Sequence, residues 1–208
     1  MASKVTVDAE GDVILAVTGK EEAGQARDFL ASSKILKLAS PVFAKMFAPC
    51  FREGAALQSS AETCPTVQLK EDDPEAMELL LRLLHFDTGK VPETAPPLDT
   101  LAKLAILSDK YDCNRALKPW IALWVRNVDN IEDLDQHSLG KLVLTAYLFR
   151  SSHFEDISAD VITQLTMNFA LEWAEESMLQ THIPDSVIGS FTQPTARRYL
   201  GINSATGP

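Results

Sequence analysis

The chain has 208 residues, 46% hydrophobic and 23% charged, enough apolar content to bury one core of ordinary size or one with an appendage. Its 29 acidic and 19 basic side chains leave a formal charge of −10, a field that repels phosphate backbones and anionic lipid, so neither nucleic acid nor membrane is an expected partner. The opening MASKVTVDAEGD lacks the apolar run of a signal peptide, no later run approaches the roughly 18 to 20 apolar residues of a membrane span, and Cys50, Cys64 and Cys113 are scattered without CxxC spacing; these features fit a soluble intracellular protein of the cytoplasm and/or nucleus with free thiols.

Residues 1–11 carry no element signal and read as a short N-terminal segment. Asp12 to Val17 is β-branched and aliphatic and ends at Thr18-Gly19-Lys20, a turn signal, so it predicts a strand buried on both faces. A second strand over Arg27 to Ala31 would complete a hairpin. Ser32-Ser33 offers an N-cap before Lys34 to Leu38, and Ser40-Pro41 repeats the device, a capping serine with proline at the first helical position, before Val42 to Phe47. Pro49 to Pro65 holds Gly54 and a Ser-Ser pair with little periodicity and reads as an exposed loop with room for one helical turn.

Thr66 to Leu69 alternates like a short strand, and Glu71-Asp72-Asp73-Pro74 is the chemistry of a helix start, expected to be a solvated acidic turn. From Glu75 to about Phe86 apolar residues run nearly all round the helix, which marks it as central core. After the Pro-rich break from Val91 to Pro97, Leu98 to Asp112 carries one apolar stripe. Asn114 is placed to cap a helix over Arg115 to Val128, with a kink or restart at Pro119. Trp120 and Trp124, four apart on one face of that helix, read as core.

Beyond Val128 no strand pattern remains. Leu139, Leu142, Val143, Ala146 and Phe149 make one stripe and Phe154, Ile157, Val161 and Leu165 begin another, predicting two antiparallel helices over 134 to about 180, with a short one from Asp185 to Phe191. Residues 203–208 are small and polar and read as a frayed tail. The side chains assigned to the core are Val13, Leu15, Leu36, Phe43, Leu80, Leu84, Leu101, Leu104, Tyr111, Trp120 and Trp124.

The order strand, strand, two short helices, strand, paired helices resembles the BTB/POZ family, and more narrowly the fungal BTB proteins with a C-terminal helical extension. The likeness is carried by Asp12-Val13-Ile14-Leu15, Phe29 to Ser33, Ala39-Ser40-Pro41-Val42-Phe43, Met46-Phe47, Phe51-Arg52-Glu53-Gly54, Val67 to Leu69, Glu71 to Met77, Leu84-His85, Leu104-Ala105, Asp109 to Cys113, and Trp120 with Trp124. The extension is similar through Thr145 to Phe149 and Phe154 to Ile157. The resemblance implies an α+β fold, a small mainly N-terminal sheet packed on a helical cluster, as a BTB/POZ domain over 12–128, followed by an all-α extension over 129–202. It also implies a non-catalytic protein-interaction module, a scaffold or adaptor, without cofactor. Members built as domain-swapped dimers carry an extra helix and strand before the first core strand, whereas 11 residues precede Asp12 here. Many animal members have His-Lys or His-Arg where this chain has Ser32-Ser33, so the buried charge pair they make with the aspartate matching Asp12 does not form.

Phe51-Arg52-Glu53, after Met46-Phe47, stands where cullin-binding BTB adaptors have a hydrophobic residue, any residue, then glutamate. On that reading the phenylalanine fills an apolar groove on the cullin of a ubiquitin ligase and the glutamate acts at the rim. The plainer reading folds Phe51 back onto its own core, leaving a module with another partner or a homo-oligomerisation domain. A cysteine nucleophile beside one of His85, His137, His153 or His182 is the sharpest enzymatic alternative, but nothing in the sequence orients a base beside a thiol. No GxGxxG or GxxxxGK[ST] loop occurs, and no metal-ligand spacing is found.

Overall fold

The computed structural model describes residues 3–19, 26–59, 64–126 and 131–192. Its sheet has four strands, β1 (Ser3–Thr6), β2 (Val13–Thr18), β3 (Arg27–Ala31) and β4 (Thr66–Lys70), in the order β1-β3-β2-β4. β2 and β3 are antiparallel with Leu15 opposite Phe29, and β4 lies parallel to β2 with Val67 beside Leu15. The hairpin and the third strand follow the sequence reading; Lys20 of the expected turn lies outside the described residues. β1 does not follow it. Within the segment assigned no element, Ser3 to Thr6 runs parallel to β3 as a largely exposed edge strand.

Two short helices come next, α1 (Ser33–Ala39) and α2 (Pro41–Met46). Ser40 caps α2 as expected, its Oγ accepting from the Phe43 N–H at 3.0 Å while donating to the Tyr111 carbonyl. At α1 the device differs: Ser32 makes no side-chain cap, and the Asp12 carboxylate instead accepts from the Ser33 N–H at 2.6 Å and the Ser33 hydroxyl at 2.7 Å. Asp12 is thus held by a neutral serine. The segment read as a loop carries α3 (Arg52–Ser59), two turns rather than one.

α4 (Pro74–Leu84) begins at Asp73, whose Oδ1 accepts from the N–H groups of Glu75 and Ala76. It packs on β2, β3, α1, α5 (Leu98–Lys110) and α6 (Asn114–Arg126), and this surround explains its apolar circumference. The acidic turn before it is not fully solvated. Asp72 is 2% exposed and accepts from the Tyr111 hydroxyl at 2.6 Å and from Lys110 at 2.5 Å. α6 runs unbroken through Pro119, and Asn114 does not cap it: its amide donates to the Leu148 carbonyl at 2.7 Å while its oxygen accepts from Ser108.

α4 ends in a left-handed residue, Phe86, at φ 57°. The Asp87 N–H reaches back to the Arg82 carbonyl at 3.0 Å, the six-to-one closure in which glycine is the usual left-handed residue. An L side chain costs about 1 to 2 kcal/mol there, and the Phe86 ring, 82% exposed, recovers little by burial. Phe86→Gly is therefore expected to raise stability by about 1 kcal/mol in a urea titration; an unchanged or lower midpoint would show that the ring contributes packing.

The extension holds five helices among the described residues, α7 (Gln136–Leu148), α8 (Phe154–Gln164), α9 (Phe169–Glu175), α10 (Ser177–His182) and α11 (Asp185–Thr192). Two helices were expected before Asp185 and four are present. α7 packs along α5, fastened by Lys141 to Asp99 at 2.8 Å. Gly140 lets Leu179 and Trp173 approach α7 closely, and Trp173 sits edge-on to Phe169 and Phe191. One hydrophobic cluster runs through the sheet, α4 to α6 and the extension. Ten of the assigned core residues are buried in it; Trp120 is half-buried and packs on its flank, 5.5 Å from the fully buried Trp124.

Candidate functional site

The segment after α2 is built from its backbone outward. The Phe51 N–H donates to the Ala48 carbonyl at 3.0 Å and the Phe51 carbonyl accepts from Ala55 at 2.9 Å, so Phe51 sits at the entry to α3 with both backbone groups engaged. Gly54, one turn later, is buried against the backbone of Phe47 and Ala48 so closely that a Cβ would overlap it. The loop is thus held by main-chain contact, and its side chains are left to point elsewhere.

Those side chains separate into two sets. Phe51 is 50% exposed, and Arg52 and Glu53 follow it with a weak 3.5 Å ion pair, the arginine almost wholly in solvent and the glutamate partly covered. Phe47, grouped with them in the sequence reading, lies instead in the core, stacked on Phe43, which stacks in turn on Tyr111 at 4.5 Å. Met46 is partly buried against the same core. What the fold leaves exposed here is an aromatic ring with an acidic neighbour on a backbone held by main-chain contacts.

Cys113 is buried, and burial pushes its thiol up to about 12, so the thiolate is suppressed at neutral pH. Burial and the neighbouring Asp72 likewise raise the Tyr111 hydroxyl. His85 serves a backbone role, described below. Cys50 and Cys64 are exposed. Among the described residues no group of three or more His, Cys, Asp or Glu is placed to hold a metal ion.

A cleft of about 780 Å³ opens between α5, the β4–α4 turn and α10. Its lysines are engaged within it: Lys103 with Asp73 at 3.3 Å and Asp99 at 3.0 Å, and Lys110 with Asp72. These pairs tie the helical extension's neighbours to the turn before α4, and they were invisible in the sequence because the partners lie more than 25 residues apart, save for the pair within α5.

A hairpin flanked by a parallel strand on each side, two short helices and a central apolar helix define an α+β fold. The model of the BTB/POZ domain matches residues 9–119, more than half of the chain, and the protein belongs to that family. BTB/POZ domains are protein–protein interaction modules, so protein binding is the class of function. A search of curated proteins returned no match. Among the described residues no helix is long and apolar enough to cross a membrane.

Proposed function

We propose that the chain is an intracellular scaffold or adaptor in which a BTB/POZ domain over 12–128 presents Phe51, Arg52 and Glu53 to a cullin-type ubiquitin-ligase scaffold, braced by a helical extension over 129–202 like that of the fungal relatives. The observation that supports it is the half-exposed Phe51 ring on a backbone fixed by Ala48 and Gly54. A ring packed in its own core has no apolar surface left to bury on binding, and a ring on a mobile loop must lose entropy to bind; Phe51 escapes the first cost by exposure and the second by its hydrogen bonds.

Phe51→Ala is accordingly expected to weaken the complex by about 2 kcal/mol or more while leaving the melting temperature nearly unchanged. Glu53→Ala should weaken it less, with a stronger dependence on salt, since a rim charge acts through screened attraction. The test is capture of a purified cullin N-terminal domain by the wild-type chain and both variants, with calorimetry on each. A stability loss of several kcal/mol for Phe51→Ala without a binding phenotype would make Phe51 a core residue and end the cullin reading.

A second reading, homo-oligomerisation, is favoured by β1, a terminal strand of the sheet with Ser3, Lys4 and Thr6 exposed. Light scattering at graded concentration separates the two, because cullin capture by a monomer and self-association without cullin capture are distinct results.

A further inference from the structure

The imidazole of His85 lies between two backbone groups whose roles are fixed. Nδ1 is 2.8 Å from the Leu81 carbonyl oxygen, which can only accept, and Nε2 is 3.0 Å from the Ser32 N–H, which can only donate. Nδ1 therefore carries the ring's proton and Nε2 is a bare acceptor, which is possible only for the neutral ring. The Ser32 N–H belongs to the N-cap residue of α1, and His85 is the C-cap of α4, so a single side chain joins the end of the central helix to the beginning of the helical pair that leads to Phe51.

We propose that His85 is an acid-released latch: the neutral ring holds α1 to α4, and protonation at Nε2 sets two donors against each other and opens the junction. Among the described residues, charged groups stand on the elements beside the ring. From the β1–β2 connection come Asp8, whose field favours the protonated ring, and Asp12, which is occupied by Ser33 one residue along. α1 contributes the exposed Lys34. On β3, Arg27 is paired with Glu78 and Asp28 lies four residues from Ser32. On α4 itself Arg82 is held by Glu78 and Asp87. No carboxylate in this set is hydrogen-bonded to the ring, and burial outweighs both the Leu81 bond and Asp8, lowering the His85 pKa from its ordinary value.

The sign follows from linkage. With the folded pKa below the unfolded value near 6.5, the unfolded chain takes up a proton that the folded chain refuses, so the stability is complete above that value and is lost as pH falls toward the folded pKa. One proton makes the folding equilibrium constant fall by at most tenfold per pH unit in that window.

In the isotope-labelled full chain, His85 ring resonances and the Ser32 amide would be followed by NMR from pH 7.5 to 5, with urea titrations at each pH. The expected result is one midpoint, below 6.5, shared by the ring and the Ser32 amide, with a smaller protection of the Ser32 amide, relative to its intrinsic exchange rate at the same pH, below it and a falling urea midpoint. His85→Gln can accept from Ser32 and donate to Leu81 at any pH, so the part of the slope due to this site should vanish. A Ser32 amide that does not respond as the ring titrates would overturn the proposal, as would an undiminished slope in His85→Gln. Should the glutamine variant fail to fold, the comparison of ring and amide in the wild-type chain decides alone.

Discussion

Leu80→Ala is expected to lower the unfolding free energy by about 2 to 5 kcal/mol, the range for removing a buried leucine where the surroundings close only partly. Leu80 is fully buried on α4, and α4 is bounded by strands on one side and by α1, α5 and α6 on the others. None of these can move into the void without breaking its own contacts, which places the cost well above the transfer energy alone. Trp124→Ala should fall in the same range, while Trp120→Ala should cost distinctly less because part of its ring already faces water. Urea titrations at constant slope provide the measurement. A loss below about half a kcal/mol at both Leu80 and Trp124 would mean that the α4–α6 core is assigned to the wrong side chains.

Elements with a local signal were readable. The β-branched run of β2, the Ser40-Pro41 cap and the Asp73-Pro74 start each carry their chemistry within six residues, and the structure uses each as read. What escaped depends on distant partners. β1 is a mostly polar four-residue strand held by its ladder with β3 and by Val5 against the core. Asp72 sits in an acidic run that reads as solvated, but Tyr111, 39 residues on, supplies the hydroxyl that permits its burial. Asp12 and His85 perform the capping work assigned to Ser32 for the same reason. The breaks at Asn168 and Glu176 in the extension contain neither glycine nor proline, so periodicity ran on where the chain turned.

The candidate site was legible in part by the same logic. Phe51-Arg52-Glu53 could be singled out by resemblance, and Met46 and Phe47 were drawn in by adjacency. Adjacency in a short helix does not decide direction: Phe47 falls on the stripe with Phe43 and turns inward to the stack with Tyr111, whereas Phe51 begins the next helix and turns outward. Gly54 reads as a loop residue in the sequence, whereas the structure sets it in the first turn of α3, where a glycine lowers helix propensity and so points to a packing reason.

That reason makes Gly54→Ala the second large effect. In an open helix the change would stabilise by about 1 kcal/mol, since alanine is the better helix former. Here the new Cβ would overlap the Ala48 carbonyl oxygen, 2.5 Å from the carbonyl carbon and 2.7 Å from that of Phe47, and every one of these atoms is main chain. No rotamer can relieve the overlap, so α3 must lift from the end of α2, and the expected net loss is about 3 kcal/mol or more, at the upper end of overpacking penalties. Phe51 hangs on the same junction through its bond to Ala48, so partner binding should fall together with stability. The pairing of effects distinguishes this variant from Phe51→Ala, which should lose binding alone. Urea titration and partner calorimetry on both variants give the comparison, and a Gly54→Ala chain at least as stable as wild type would show that the two helices separate freely and that Phe51 is not held in place by their contact.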